Sequence, residues 1–466
     1  MLRSTTTAFC EGQCIKNGVA VPRVTLCVTD EIANLPLCDF DRILSRWGYG
    51  DCRRMGRHEM MLSEMGNIRD GSACVISTLK TTSTDDSKAL DIQQPNFTVT
   101  IPSPQPAQLS KPQHHAKTMS TPDRPKTMRA WQYTTTSPGL ENTLTLTPNL
   151  PIPDPNPTDH LVRILTVSLN PLDHKVAEMP FFHRFLVPKP ACPGTDFCGR
   201  IVQPAANSGL QAGQLIFGVS STQIFAGRAL AEFAAVPVAS TAVVPAGVSP
   251  AEAAALPIAG LTAYQSVMPF VKAGARVFVN GGSGGTGIFA VQIAKLAGAH
   301  VTASCSGANV GLCRSLGADV VIDYRTQDLV AEVRKQAKET APFDVIVDNV
   351  GADYNLFFQT QECLAAVGSY VMVAAAPGLA FAMFMLRAKV LPGFLGGAKR
   401  KLVPFFCESK RPREYEELAG WVAEKKVKVV IDSTYAFEDA KEAMRKLKSH
   451  RARGKVIVDV AGAQEA

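Results

Sequence analysis

Paired cysteines are absent from this chain. Its twelve cysteines are scattered over 466 residues without a C-x-x-C pair or a regular spacing. Disulfide-stabilised proteins and zinc-ribbon proteins set their cysteines in close, ordered pairs. The pattern therefore favours reduced thiols in an intracellular protein, and we expect a cytoplasmic location. A mitochondrial location is the alternative, because the first seven residues have some transit-peptide character before acids appear from Glu11 onward.

A stretch long enough to span a bilayer is absent as well. The most apolar region, Val371–Leu386, is interrupted by Pro377 and Gly378, whereas a membrane helix needs about 20 consecutive apolar residues. Strong charge of one sign is also missing. The net charge of +7 is mild for 466 residues, so it allows an anionic ligand but does not indicate a nucleic-acid-binding protein. With 46% hydrophobic residues, the chain can bury a large core.

Residues 1–127 lack any sustained helical or strand periodicity. They end in a polar tract, residues 78–127, which is rich in Pro, Gln, Ser and Thr. Such a tract buries too little apolar surface to offset the entropy that is lost on ordering. We therefore predict a mostly disordered extension, with the ordered pattern beginning at Met128.

What the chain does have, near its middle, is a strand, a glycine turn and a helix in direct succession. Residues 275–280 form an apolar, β-branched run, and residues 288–297 have the apolar spacing of a helix that stops at Gly298. The glycines between them fit the G-x-G-x-x-G pattern, in which a bare backbone lets a pyrophosphate approach the first N–H groups of the helix. The alternative is a glycine-rich turn in another kind of α/β protein. We predict that a nucleotide is bound by Gly282, Ser283, Gly284, Gly285, Thr286 and Gly287.

The stretch after the next strand bears on the choice of nucleotide. Sites selective for NAD place an acid about 20 residues past the glycines, where it accepts a hydrogen bond from the ribose 2′-hydroxyl. Here residues 304–309 contain no acid. The small polar groups of Ser306 and Asn309 leave room for a 2′-phosphate, and Arg314 and Arg325 are near in sequence. We therefore predict NADPH rather than NADH; the alternative is that the missing acid only relaxes the choice.

The remaining patterns indicate an α/β protein of two domains after the extension. Many short strands between glycine- and proline-rich turns indicate a β-rich, barrel-like domain over residues 128–250. Strands and helices alternate over residues 251–410, which is typical of a doubly wound parallel sheet. The β-rich character returns over residues 411–466, so we expect this tail to rejoin the first domain.

Three predictions within this pattern are specific enough to test. We expect a helix over residues 354–366 and a strand over residues 427–431. The segment over residues 375–400 is long and rich in Met, Phe and Gly. It is either an internal or dimer-facing helix or a mobile apolar wall over the substrate.

Several motifs occur together in a fixed order. Besides the glycine turn, they are Asn-Pro-x-Asp at 170–173, Pro-Gly-Thr-Asp-x-x-Gly at 193–199, Ala-Leu-Pro-x-Ala-Gly-Leu-Thr-Ala-Tyr at 255–264, Leu-Gly-Ala-Asp at 316–319 and Ala-Arg-Gly-Lys-Val at 452–456. With these motifs, residues 128–460 resemble the zinc-independent quinone oxidoreductase branch of the medium-chain dehydrogenase/reductase superfamily. The resemblance implies a GroES-like catalytic domain that is split around a Rossmann domain, and a homodimer.

The resemblance also implies roles for single residues. It places Asn170 and Thr262 near the nicotinamide, and Tyr324 matches a position that contacts the 2′-phosphate in family members. A lysine that some members carry after the second strand is replaced by Asn309. The zinc-using cousins carry Gly-His-Glu at positions 194–196 and a cysteine near position 170, and both ligand positions are lost here. Because catalytic zinc needs three protein ligands, we predict no metal.

Without a metal, hydride transfer needs an acceptor that is already electron-poor. A quinone or an α,β-unsaturated carbonyl compound supplies its own electron sink, so positioning can accomplish most of the catalysis. We predict an NADPH-dependent reductase of such small molecules, with Asn170 and Tyr264 as catalytic candidates and Tyr264 as the candidate proton donor. The alternatives are an enoyl-thioester reductase of lipid or polyketide metabolism, a zinc alcohol dehydrogenase, and a non-catalytic NADPH-binding or RNA-binding protein of the same fold.

Overall fold

The computed structural model describes residues 125–179, 187–206, 208–221, 227–374 and 378–462, and the backbone of two strands near the start of the chain. The chain divides into two compact units, Met1–His115 and Ala116–Ala466. In the first unit, strands β1 (Ala8–Lys16) and β2 (Val19–Leu26) pair in antiparallel fashion, a hairpin that the sequence patterns did not predict. The disorder predicted for the rest of residues 1–127 concerns residues that lie almost wholly outside the described ones.

Short strands of the second unit form a β-rich part, as predicted. They are β3 (Thr127–Gln132), β4 (Thr145–Pro151), β5 (Asp159–Leu169), β6 (Asp196–Gln203), β7 (Leu215–Val219), β8 (Phe233–Pro237), β9 (Thr241–Val243), β16 (Ile431–Ala436) and β17 (Lys455–Asp459). Most of them share one sheet in the order β16-β17-β5-β6-β7-β9, with β8 also paired to β5, whereas β3 pairs with β4. The tail of the chain thus rejoins the sheet that opened the domain. The helices of this part are α1 (Leu140–Thr143), α2 (Pro171–Lys175) and α11 (Ala440–Lys448).

Between these parts, strands and helices alternate and build a parallel sheet. The strands are β10 (Arg276–Asn280), β11 (His300–Cys305), β12 (Val320–Asp323), β13 (Phe343–Asp348), β14 (Leu364–Met372) and β15 (Lys401–Pro404). Their order is β12-β11-β10-β13-β14-β15, the doubly wound arrangement that was predicted. The helices are α3 (Pro250–Ala255), α4 (Pro257–Val267), α5 (Gly287–Leu296), α6 (Val310–Ser315), α7 (Leu329–Glu339), α8 (Asn355–Thr360), α9 (Leu379–Val390) and α10 (Pro412–Ala423).

The first strand of this sheet, β10, lies at its centre and is covered on both faces. Val277, Phe278 and Val279 are fully buried, which is typical of a parallel strand between two layers of helices. The chain crosses from β10 to β11 on one side and later to β13 on the other. Ligands of such sheets bind beyond the carboxyl ends of the strands, where the order reverses, and β10 ends at that place.

Two predicted elements, a helix and a strand, differ from the structure. The helix expected over residues 354–366 ends at Thr360, because β14 already begins at Leu364 and takes the following apolar residues into the sheet. The strand expected over residues 427–431 is wrong, since β16 begins only at Ile431. Val427 and Val429 are nevertheless buried. A short alternating apolar run therefore predicted burial correctly and the type of element incorrectly.

The long segment before β15 contains helix α9, which is internal on one face only. Phe381 and Phe384 pack against Tyr354, with ring centroids 5.7 Å and 5.2 Å apart. On the other face, Met383 and Leu386 are more than half exposed, at 56% and 54%. Whether this face meets a second copy or a substrate stays a prediction. No helix of the described residues, α9 included, is long and apolar enough to cross a membrane.

Candidate active site

Two glycines of the turn are required by the packing of the protein itself. A Cβ atom on Gly287 would lie 2.0 Å from the carbonyl oxygen of Gly281, and one on Gly282 would lie 2.9 Å from Cβ of Ala303. Gly281 itself has φ = +80°, in the left-handed region that favours glycine. The turn can therefore close between β10 and α5 only with bare backbone at these positions.

The middle glycine of the motif is different, because the protein leaves space around it. A Cβ atom on Gly284 would meet only the carbonyl oxygen of Gly281, at an ordinary 3.5 Å. The space lies at the N-terminus of α5, where unpaired N–H groups and the helix dipole favour an anion. Glycine at this position is thus explained by a ligand that approaches the backbone, as a pyrophosphate does.

A hydrogen-bonded network behind the turn joins four strands of the parallel sheet. Asn280 Nδ2 donates to Asp348 Oδ1 at 2.8 Å, and Ser304 Oγ donates to Asn280 Oδ1 at 2.6 Å. The N–H of Gly281 donates in turn to Ser304 Oγ at 3.0 Å. Tyr370 closes the network with a bond from its hydroxyl to Asp348 Oδ2 at 2.9 Å. The turn therefore stands on a rigid base that spans β10, β11, β13 and β14.

The residues predicted to face the adenosine end converge beside the turn. Asn309 Nδ2 donates to Ser283 Oγ at 3.0 Å and to Ser306 Oγ at 3.2 Å. The other polar atom of this amide, Oδ1, is buried and has no hydrogen-bond partner. Tyr324 follows β12 at the same edge and is 49% exposed. A buried acceptor without a donor is costly, so the arrangement fits a ligand that supplies the donor.

An acid that the sequence did not place here comes from the neighbouring strand. Asp323, at the end of β12, lies so close to Gly307 that a Cβ atom there would be 2.6 Å from Asp323 Oδ2. The carboxylate is already engaged by the N–H of Arg325 and the hydroxyl of Thr326, both at 3.0 Å. Each oxygen thus has one partner within its own turn, and the carboxylate retains further acceptor sites at the end of β12.

Asn349 is a further candidate residue at the site, which the sequence patterns did not identify. It directly follows β13, and a Cβ atom on Gly281 would lie 3.9 Å from its Cβ. Both Nδ2 and Oδ1 of Asn349 are buried without a partner. The signal that could have found it is its place beyond the carboxyl end of a parallel strand, where α/β proteins bind ligands.

On the other side of the site, Asn170 has its whole amide engaged. Its Oδ1 accepts a hydrogen bond from Lys455 Nζ at 2.6 Å, and its Nδ2 donates to Asp196 Oδ2 at 2.8 Å. Asn170 is 3% exposed, Lys455 2% and Asp196 0%. The three residues come from the end of β5, the start of β17 and the start of β6. The structure thus uses Asn170 to join two buried ionisable groups.

Burial and neighbouring charge act against each other at Asp196. Burial raises the pKa of its carboxyl group to about 7, although Lys455 lowers it in part. Burial also lowers the pKa of Lys455, which Asp196 and Asp173 oppose. The second oxygen of Asp196 accepts from the N–H of Ile258 at 3.1 Å, in the first turn of α4. One carboxyl group therefore ties the catalytic domain to the helix that carries Thr262.

A second buried carboxyl group, Asp173, lies next to this group. Thr195 Oγ1 donates to Asp173 Oδ1 at 2.6 Å, and the N–H of Asn170 donates to Asp173 Oδ2 at 2.8 Å. Burial raises the pKa of Asp173, and the hydrogen bond from Thr195 is the largest influence that lowers it. We call Asn170, Asp173, Thr195, Asp196 and Lys455 the substrate-side cluster.

Thr262, predicted to lie near the nicotinamide, is close to this cluster, whereas Tyr264, the predicted proton donor, is not. Thr262 is 6% exposed, and its hydroxyl forms a hydrogen bond with the thiol of Cys407. Burial raises the pKa of this thiol to about 12. Tyr264 points elsewhere: its hydroxyl donates to Glu417 Oε2 at 2.8 Å, and its ring packs against Trp421. A role of Tyr264 as proton donor stays a prediction, which requires its hydroxyl to leave Glu417.

Two family models match this chain. One, described as an alcohol dehydrogenase GroES-like domain, matches residues 156–246, and the other, described as a zinc-binding dehydrogenase, matches residues 316–458. A protein of Aspergillus terreus named trans-enoyl reductase pgmF is 42% identical over 353 residues, which are 72% of this chain and 97% of that relative. The chain belongs to the medium-chain dehydrogenase/reductase superfamily of oxidoreductases.

Other members of the superfamily agree with the predicted branch. A chloroplastic quinone-oxidoreductase homolog of Spinacia oleracea is 33% identical over 319 residues, covering 66% of this chain and 92% of the relative. The solved quinone oxidoreductase of Coxiella burnetii has a TM-score of 0.62 at 25% identity, covering 72% of this chain and all of that one. The resemblance read from the motifs is thereby confirmed.

Three residues of the substrate-side cluster stand where, as the resemblance implies, zinc-using members of the superfamily carry their ligand motif and a cysteine. Thr195 and Asp196 stand at the Gly-His-Glu positions, and Asn170 stands near the cysteine position. Among the described residues, no group of three or more His, Cys, Asp or Glu side chains is arranged to hold a metal ion. Asn170 is hydrogen-bonded to Asp196 and to Lys455, and Thr195 is hydrogen-bonded to Asp173.

Proposed function

We propose that this protein is an NADPH-dependent reductase of small molecules in which a carbon–carbon double bond is conjugated to a carbonyl group. The observation that carries the proposal is the open space at Gly284 beside two buried amides, Asn309 and Asn349, that have polar atoms without partners. A dinucleotide fits such a place, because it brings a pyrophosphate for the helix N-terminus and ribose hydroxyl groups for the amides.

The residues that would hold the nucleotide follow from the site. The backbone of residues 282–287 would bind the pyrophosphate, and Asn349 would bind a ribose near the turn. Ser306, Asn309 and Tyr324 would face the adenosine ribose and its 2′-phosphate. We propose NADPH rather than NADH because these three side chains are neutral and residues 304–309 contain no acid. A solved mycobacterial relative described as complexed with NADPH, at 23% identity and a TM-score of 0.58, shares the fold.

Bound NADPH supplies a hydride, which would add to the β-carbon of the acceptor while a proton from the protein or solvent reaches the α-carbon. The chain has to align the two reactants and exclude water. We propose that Asn170 and Thr262 lie beside the nicotinamide, as the resemblance implies. The proton donor is either Tyr264, after release from Glu417, or solvent.

The acceptor class is drawn from the relatives. The name of the pgmF relative, trans-enoyl reductase, favours an enoyl thioester or a related enone. A quinone is the second candidate, favoured by the Spinacia oleracea relative. The free thiols of the described region fit a reducing compartment, so we retain the cytoplasm as a proposal. A homodimer and the domain boundaries at residues 127, 250 and 410 also stay proposals.

The test is a panel of acceptors with both nucleotides. Purified protein is mixed with NADPH or NADH and with a 2-alkenal, an enoyl thioester of N-acetylcysteamine, an enoyl-CoA or a menadione-type quinone, and oxidation is followed at 340 nm. We expect faster NADPH oxidation with the enone and thioesters than with the quinone. Failure to oxidise either nucleotide with any acceptor would reject the reaction, and more efficient use of NADH would reject the choice of nucleotide.

A further inference from the structure

Lys455 has a buried side chain, which is unusual for a lysine. It begins β17 and is only 2% exposed, whereas lysines are almost never buried unless their charge is paired. Its Nζ lies 2.6 Å from Asn170 Oδ1, 3.2 Å from the carbonyl oxygen of Leu169 and 3.6 Å from Asp196 Oδ2. Three oxygens thus surround a group that has three protons to donate.

The stem of the same side chain contacts the nucleotide side of the site. Its Cδ lies 3.4 Å from the position that a Cβ atom on Gly285 would occupy. The preceding residue, Gly454, donates its N–H to the carbonyl oxygen of Ser283 at 3.0 Å. The backbone before Lys455 is therefore hydrogen-bonded to the glycine turn, and the aliphatic part of the Lys455 side chain packs beside the same turn.

The ammonium group and the stem consequently join two parts of the site that are distant in sequence. Asn170 is 285 residues from Lys455 and lies in the first part of the catalytic domain, whereas the glycine turn belongs to the Rossmann domain. Asp196 adds the first turn of α4 through Ile258. No other side chain of the substrate-side cluster has a described contact with the glycine turn.

We propose that Lys455 is a positioning residue that holds the amide of Asn170 and the glycine turn in one fixed arrangement, on which both nucleotide binding and hydride transfer depend. The inference rests on the proposed function, in which Asn170 lies beside the nicotinamide. Without the ammonium group, the amide of Asn170 loses the donor that fixes its orientation. A small displacement of reacting groups is enough to slow a reaction strongly.

The first test is Lys455→Met, which keeps the length of the stem and removes its charge. We expect kcat with a 2-alkenal to fall on the order of 100-fold and the Kd for NADPH, measured by nucleotide fluorescence, to rise about 10-fold. Asn170 also donates to Asp196, so protonation of Asp196 weakens the second contact that orients this amide. Because Asp196 ionises less readily without its cation, we also expect the acidic limb of the kcat profile to move to higher pH. Unchanged kcat, Kd and pH profile in a folded variant would overturn the proposal.

A second variant covers the case in which Lys455→Met does not fold, since an unpaired buried carboxylate is costly. The double variant Lys455→Met/Asp196→Asn contains no buried charge at this pair. We expect it to melt cooperatively and to retain the loss of kcat, because Asn170 still lacks its donor. Recovery of kcat to within about threefold of the parent would mean that Lys455 only neutralises Asp196, and would overturn the proposal.

The matched control is Lys295→Met, on the helix that follows the glycine turn. Lys295 pairs with Asp319 at 2.9 Å but is partly exposed, so we expect kcat and Kd to stay within about twofold. The proposed function and the proposed role of Lys455 would fail in different experiments. If the parent protein reduces no acceptor, the proposed function is rejected, whereas the Kd values of the variants for NADPH still decide the role of Lys455.

Discussion

The two sides of the candidate site treat their buried polar atoms in opposite ways. In the substrate-side cluster, the amide of Asn170, the carboxyl group of Asp196 and the ammonium group of Lys455 are all bonded to one another. On the nucleotide side, Asn309 Oδ1 and both polar atoms of Asn349 have no partner. A buried polar atom without a partner costs about 1–3 kcal/mol, so the nucleotide side fits a ligand that supplies those partners.

This difference separates residues that hold the site from residues that bind. A cluster whose hydrogen bonds are all satisfied internally is rigid and gives a fixed geometry. A group left unsatisfied at the end of a rigid strand is available to a ligand. The same contrast divides the glycines, since Gly287 is fixed by the backbone of the protein and Gly284 is surrounded by space. Substitutions on the two sides should therefore change different quantities.

The largest effect is expected at Gly287. In Gly287→Ala, the new Cβ would lie 2.0 Å from the carbonyl oxygen of Gly281, so we expect the free energy of unfolding in urea to fall by about 3 kcal/mol or more. In Gly284→Ala, which meets no close atom, we expect stability to change by less than about 0.5 kcal/mol and the Kd for NADPH to rise about 10-fold. Equal stability of the two variants would contradict the division of the glycines.

The next effect concerns the pH dependence of stability. The raised pKa of Asp196, about 7, means that the folded state keeps this proton up to that pH, whereas the unfolded state releases it near the ordinary value of 3.8. The folded state binds more protons in between, so Asp196 makes stability fall as the pH rises from 4 to 7, by at most a few kcal/mol. We expect Asp196→Asn to lose this contribution.

The comparison with the variant is needed because other groups titrate in the same interval. Burial lowers the pKa of His160 and of His174. Both histidines therefore make stability rise with pH, since the unfolded state binds more protons at these groups than the folded state. Unfolding free energies of the parent and of Asp196→Asn are measured at pH 5, 6 and 7 at constant ionic strength. Parallel curves would show that Asp196 is ionised throughout and that the cluster is less strongly desolvated than its burial indicates.

How much of the site the sequence reveals depends on how local each feature is. The glycine turn was predictable because strand, turn and helix are consecutive. The pairing of Lys455 with Asn170 was not, although both residues stood in recognised motifs, because only the folded chain brings together positions 285 residues apart. Asn349 required the order of the strands. The early start of β14 at Leu364 also depends on its neighbours, since β13 supplies the hydrogen bonds that draw it into the sheet.

A third prediction uses the unsatisfied side of the site. Asn349→Leu removes a buried amide of similar size that has no partner, so we expect the free energy of unfolding to be unchanged or to rise by up to about 1 kcal/mol. The Kd for NADPH should rise about 10-fold, because a ribose loses its partner. Asn280→Leu is the contrasting variant: its amide is fully bonded, so stability should fall. An unchanged Kd in Asn349→Leu would remove this residue from the site.

The smallest effect is expected at Tyr264, which the sequence suggested as the proton donor and which the structure places away from the substrate-side cluster. Its hydroxyl is bonded to Glu417, and burial, followed by this bond, raises the pKa of Tyr264 to about 12. The group therefore keeps its proton at neutral pH but releases it reluctantly, and it points to α10 rather than to the substrate-side cluster. We expect Tyr264→Phe to lower stability by about 1 kcal/mol and kcat by less than about twofold. Glu417→Gln, which retains an acceptor, should have a smaller effect on both. A fall in kcat on the order of 100-fold at unchanged stability would instead make Tyr264 the proton donor, and would show that its bond to Glu417 opens when substrate binds.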